Sequence, residues 1–118
     1  MSVDDWSPRD FPAVSYIRAA SIKADGAAVE VEHQRAQIAL AADRLGLRMA
    51  DEFVDVGGVG MDRPALRRLL DHVGSHRVGY CVVATLDRLS ENPEDAADID
   101  QALTDASVVI VVAANHSA

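Results

Sequence analysis

Residues 79–86, Gly-Tyr-Cys-Val-Val-Ala-Thr-Leu, are apolar almost throughout and run straight into Asp87-Arg88. An apolar run of this length, bounded by a glycine and a charged pair, suits a strand covered on both faces. A strand of that kind requires layers above and below it, so the chain is committed to helices packed around a sheet. In open α/β sheets ligands bind outside the carboxyl ends of the strands, which puts Asp87 and Arg88 where a site would form.

The rest of the chain supplies the layers. Residues 13–18 read as a first strand ending at Arg18, with a loop over residues 19–26. A helix follows from about Ala28 to Leu45, because Val31, Gln34, Ile38, Ala41, Ala42 and Leu45 recur on one face and Gly46 offers a stop. Gln34 is the polar member of that inner face. Residues 47–55 give a second strand, and the loop 56–60 is glycine-rich. Asp62 is the candidate cap of the next helix, with Pro64 in its first turn, Leu66, Leu69, Leu70 and Val73 as its stripe and Gly74 as its close. After the central strand, Asn92-Pro93-Glu94-Asp95 opens a third helix whose inward residues are Ala96, Ile99, Ala102, Leu103 and Ala106. Residues 107–113 form a last apolar strand. Strands alternating with helices predict an α/β fold: a mainly parallel sheet of four or five strands with helices on both faces.

With 118 residues the chain fits one domain with a real core. Residues 1–12 are expected to be a leader from which Trp6 and Phe11 dock onto the domain or a partner, residues 13–114 the domain, and residues 115–118 a tail. No apolar run approaches the ~20 residues that span a bilayer. The acidic start, Met1-Ser-Val-Asp-Asp-Trp6, does not resemble an export signal, so the cytoplasm is the expected compartment. A net charge of −8 argues against a chain that grips nucleic acid by itself, since phosphate binding rests on Lys and Arg; DNA binding is expected to be weak or indirect. Cys81, the single cysteine, falls within the central strand and reads as a buried thiol. His33, His72, His76 and His116 show no metal-ligand spacing and are expected to be solvent-exposed. No metal or cofactor is expected.

The strand ends gather Arg18, Arg88 and Asp87, with Arg63 at a helix start and Gln34 on an inner helix face. Converging guanidiniums suit a phosphate-like anion. Taken singly, each arginine is equally at home as a solvated charge or an ion-pair member.

Five segments in order resemble one family. Tyr16-Ile-Arg18-Ala-Ala-Ser21, Val31-Glu-His-Gln34, Phe53-Val-Asp-Val-Gly57, Asp62-Arg63-Pro64-Ala-Leu66 and Leu86-Asp87-Arg88-Leu89-Ser90 are similar to successive motifs of the catalytic domain of resolvase/invertase-type serine recombinases. The resemblance implies the three-layer fold of that domain and site-specific DNA recombination, in which a serine attacks a phosphodiester and arginines offset the charge that develops. It assigns the arginines to Arg18, Arg63 and Arg88, and it is matched at Asp87 and Gln34.

The departures fall on the chemistry. The family places its nucleophile two residues after the first arginine, where this chain has Ala20; Ser21, one residue late, is the candidate substitute. Val59 stands where the glycine-rich loop usually carries a serine, and Glu91 where a further arginine is usual. The family's long helix and separate DNA-binding domain find no counterpart in the sequence. Two readings follow. One is a degenerate, non-cleaving domain that acts by association with a recombinase or with itself as a homo-oligomer. The other is an active strand-transfer domain that uses Ser21 and borrows DNA-binding parts from another chain. A third reading is a remnant, or a phosphate-binding module of other purpose.

Overall fold

The computed structural model describes residues 11–20, 23–57, 62–90 and 92–116. Its strands are β1 (Pro12–Ala19), β2 (Arg48–Val56), β3 (Tyr80–Val83) and β4 (Val109–Val112), and its helices are α1 (Ala24–Leu45), α2 (Pro64–Ser75) and α3 (Pro93–Asp105). A short 3₁₀ turn, Leu86–Arg88, follows β3. All strand pairs are parallel, in the order β2-β1-β3-β4.

That order accounts for the layers. The chain steps from β1 to β2 in one direction and then crosses back over β1 to reach β3. Right-handed crossovers in opposite directions place their helices on opposite faces. Ile38 and Ala41 of α1 accordingly pack on Ala13 and Ile17, while Leu66, Leu69 and Val73 of α2 and Ile99 and Leu103 of α3 pack on Val14 and Tyr16. The two faces of β1 are thus divided between two cores, and residues 13–19 are all buried. The expected α/β architecture holds, with four parallel strands. β1 shares the interior of the sheet with β3, all four residues of which are buried. The strand order reverses between them, so the crevice at their carboxyl ends is where a ligand is expected.

Local chemistry agrees with most of the expected boundaries. Gly46 ends α1 in the left-handed region at φ 69°, where a side chain would be strained, and its N–H reaches the carbonyls of Ala42 and Asp43. Asn92 caps α3, its Oδ1 accepting from the Asp95 N–H at 2.8 Å. Phe11 lies against the α1-side core with the Arg77 guanidinium 4.6 Å above its ring, and a Cβ on Gly79 would come within 2.6 Å of the Phe11 Cβ. Glycine at 79 lets that ring seat. Trp6 lies outside the described residues.

Four expectations need correction. α1 begins at Ala24, four residues before Ala28, and its first turn already buries Ala27. α2 runs through Gly74 to Ser75: Gly74 is exposed and in open space, and the last turn is held by the His76 N–H to the His72 carbonyl. β4 is shorter than residues 107–113, since Ser107 turns at φ 61°, and as an edge strand it leaves Val109 56% exposed. Asp62 does not cap α2, as described next.

Candidate functional site

The N-terminus of α2 is capped by the strand beside it. Asp55, near the end of β2 and 4% exposed, accepts the backbone N–H of Ala65 at Oδ1 (2.8 Å) and of Leu66 at Oδ2 (2.9 Å). It also accepts the Tyr16 hydroxyl from β1 at 2.8 Å. Asp62, exposed, only accepts from the Arg63 N–H and the Arg67 guanidinium. A buried carboxylate competes with no water for the helix amides, so it displaces the nearer surface aspartate from the capping role. Burial, reinforced by the Asp55 carboxylate, drives the Tyr16 pKa well above that of an ordinary phenol; the positive charges of Arg63 and Arg18 oppose this without reversing it.

Arg63 binds the start of α3. Its guanidinium donates to both carboxylate oxygens of Asp95 at 2.8 and 2.7 Å and to the Leu89 carbonyl at 2.9 Å. This fork ties the start of α2 to the start of α3, with the Arg63 side chain 13% and the Asp95 side chain 23% exposed. The sequence groups Arg63 with Arg18 and Arg88 on a phosphate; in the structure its Nη1 and Nη2 donate to Leu89 and Asp95.

Arg18 and Gln34 do meet, through the main chain. Pairing between β1 and β3 ends at Tyr16 with Val83. Beyond it the Gln34 side-chain amide takes over, Oε1 accepting from the Arg18 N–H at 3.2 Å and Nε2 donating to the Arg18 carbonyl at 2.8 Å. Gln34 acts as one more peptide unit where β3 stops. Both its oxygen and a proton of its nitrogen are thereby engaged, and Arg18 is held at 7% exposure.

Arg88 is placed differently. It lines a cavity of about 230 Å³ between α1 and the segment after β3, with Glu30, His33, Gln37 and Thr85. Its Nε is buried and finds no hydrogen-bond partner among the described residues. Asp87 does not orient it: the Asp87 carboxylate accepts from the Thr85 hydroxyl. Ala20, exposed at the end of β1, donates its N–H to the Glu30 carboxylate at 2.6 Å. Ser21, Val59 and Glu91 lie outside the described residues.

Sequence reasoning passed over Asp55, Tyr16, Glu30 and Asp95. The signal for the first two was present, as an acid and a hydroxyl set in otherwise apolar strands. Cys81 is fully buried and its thiol is pushed up to about 12, which makes it a poor nucleophile. The histidines are not uniformly exposed: His72 is half-buried against Phe53, with its Nε2 3.6 Å from Asp51 and its ring stacked on His76, and His116 is half-buried too. Among the described residues no group of three or more His, Cys, Asp or Glu is arranged to hold a metal, and no helix is long and apolar enough to cross a membrane.

Residues 13–118 match the family described as Resolvase, N terminal domain. Among solved structures, the chain is similar to a resolvase family site-specific recombinase from Streptococcus pneumoniae, with a TM-score of 0.76 at 21% identity over 90% of this chain and 74% of that one. It is also similar to the N-terminal catalytic domain of TP901-1 integrase, with a TM-score of 0.73 at 20% identity over 89% and 78%. The C-terminal catalytic domain of IS1535 TnpA, an IS607-like serine recombinase, is 27% identical, with a TM-score of 0.68 over 85% and 69%. No curated protein sequence matches.

Proposed function

The chain belongs to the family of the resolvase N-terminal domain, and from that premise we propose that it is a recombinase-type domain tied to site-specific DNA recombination that does not cut DNA itself and works by association with a recombinase or with a second copy of itself. The observation that carries this reading is at Ala20. The position of the expected nucleophile holds a methyl group, and the N–H beside it is given to Glu30. Covalent strand transfer needs a hydroxyl aligned with cations that offset growing negative charge. Here one of the three expected arginines, Arg63, is committed to Asp95. Arg18, Arg88, Gln34 and Asp87 remain the proposed phosphate-side residues, with Gln34 acting through the Arg18 main chain and Asp87 through Thr85.

Association is supported by a second, mostly apolar cavity of about 440 Å³ between the 3₁₀ turn, α3 and β4, with Leu89, Ile99 and Ile110 in its lining and Leu86 54% exposed at its edge. Contiguous apolar surface of this kind marks protein contact.

The test is covalent capture on nicked recombinase-site DNA, with wild type, Ala20→Ser and Ser21→Ala compared. Wild type is expected to form no adduct, and Ala20→Ser alone none either, because a restored hydroxyl still lacks the full set of cations. Adducts in wild type that vanish in Ser21→Ala would establish Ser21 as the nucleophile and overturn the non-cleaving reading.

A further inference from the structure

Glu30 and Gln34 stand one turn apart on α1, so they share a face directed at the end of β1. A helical turn advances about 5.4 Å and two strand residues about 6.6 Å, close enough for successive turns to meet alternate residues of the strand. Gln34 accordingly holds the main chain of Arg18, and Glu30 that of Ala20. The two contacts differ in charge. Gln34 offers a neutral amide that extends the sheet, whereas Glu30 brings a carboxylate to the Ala20 N–H beside the cavity that Glu30 and Arg88 both line. Despite that carboxylate in the same cavity, the Arg88 Nε stays without a partner among the described residues.

We infer that Glu30 determines what this cavity binds: its carboxylate occupies from within the chain the backbone donor that a tetrahedral oxyanion would use, and its charge opposes an oxyanion approaching Arg88. The inference rests on the reading of the cavity as a phosphate-type site. A sulfate, a phosphate or a nucleic-acid phosphodiester would bring negative charge to the Arg88 side chain that lines the cavity, and would have to displace Glu30 from Ala20 to use the N–H there. Two like charges a few ångströms apart in a half-buried cleft repel strongly enough to change affinity by about tenfold or more. The lining of the cavity holds both a cation, Arg88, and a resident anion, Glu30. Residue 30 therefore decides whether the pocket accepts oxyanions readily.

Sulfate binding to the full chain, followed by titration calorimetry, tests this with wild type, Glu30→Gln, Glu30→Ala, Arg88→Gln and the double variant Glu30→Gln with Arg88→Gln. Glu30→Gln is expected to bind sulfate about tenfold more tightly than wild type, Glu30→Ala at least as tightly as Glu30→Gln, and the double variant to lose the gain. If wild type binds as tightly as Glu30→Gln and Arg88→Gln alone abolishes that binding, the oxyanion site stands and the role of Glu30 falls. If the gain survives in the double variant, or no variant binds sulfate, the site reading itself falls and the role of Glu30 with it. A measurement on wild type alone guards against misfolded variants: saturating sulfate should shift the Ala20 and Arg88 amide resonances together. Movement at Arg88 with Ala20 unmoved overturns the proposal. A short oligothymidylate in place of sulfate identifies the source of the oxyanion. The same ranking of variants assigns a nucleic-acid phosphodiester, and the ranking with sulfate alone assigns a small free anion.

Discussion

On the α2–α3 face of the strand ends, Tyr16, Asp55, Arg63 and Asp95 satisfy one another and the helix N-terminus between them. On the α1 face, Gln34 is satisfied by the Arg18 main chain, but Arg88 keeps a buried Nε without a partner beside the Glu30 carboxylate. The same family resemblance pointed to Arg63 on the first face and Arg88 on the second as equivalent cations. Folding has made them unlike. A guanidinium forked onto a carboxylate inside the fold is a structural staple, whereas a buried donor without a partner costs stability.

If the α2–α3 network is structural, its members should be expensive to remove. Asp55→Ala strips an acceptor from the Tyr16 hydroxyl and from two α2 amides, and should lower unfolding free energy by about 4 kcal/mol in urea titrations. A loss below about 1 kcal/mol would show that water replaces the carboxylate at no cost and would break the contrast. Arg63→Ala should cost about 2–3 kcal/mol, because it strands the largely buried Asp95, and a double-mutant cycle with Asp95→Ala should return most of that as coupling. Additive effects would mean that the fork is ornamental.

Alkaline pH probes the same face more finely. Tyr16 keeps its proton in the folded state well beyond the pH at which an unfolded tyrosine, with a pKa near 10, loses it. The stability it contributes is thus intact below about pH 10 and is lost as pH rises from there, at about 1.4 kcal/mol per pH unit. Cys81, pushed up to about 12 by burial, adds a loss of the same sign that begins near pH 9. Tyr16→Phe should cost about 1 kcal/mol at neutral pH and remove its share of the alkaline slope, which chemical denaturation at pH 8 and pH 11 would reveal. The smallest effect belongs to the other face. Arg88→Met should change stability by no more than about 0.5 kcal/mol, or raise it, since the orphaned donor is removed while the stem is kept. A loss above 2 kcal/mol in thermal or urea unfolding would place Arg88 among the structural residues and erase the distinction.

Much of the fold could be read along the chain. The apolar run before Asp87-Arg88, the helical recurrence of Ile38, Ala41 and Leu45, and the punctuation at Gly46 and Asn92 are local signals, because they reflect hydrogen-bonding and burial demands met within a few residues. Edges were less legible. Whether Gly74 ends a helix, or residues 107–113 stay paired, depends on what lies alongside.

The site divides along the same line. Residue types and spacing by themselves suggested that Arg18, Arg88, Gln34 and Asp87 lie toward one edge of a parallel sheet, and the family resemblance, not the spacing, marked Ala20 as the place of the expected nucleophile. Tertiary structure alone decided which polar groups are consumed. Asp55 lies ten residues before the amide of Ala65 that it caps, Asp95 thirty-two after the Arg63 it binds, and Glu30 ten after Ala20. No periodicity encodes such pairings, because a hydrogen bond between distant residues depends on which elements the sheet order brings together and on how completely water is excluded once they meet.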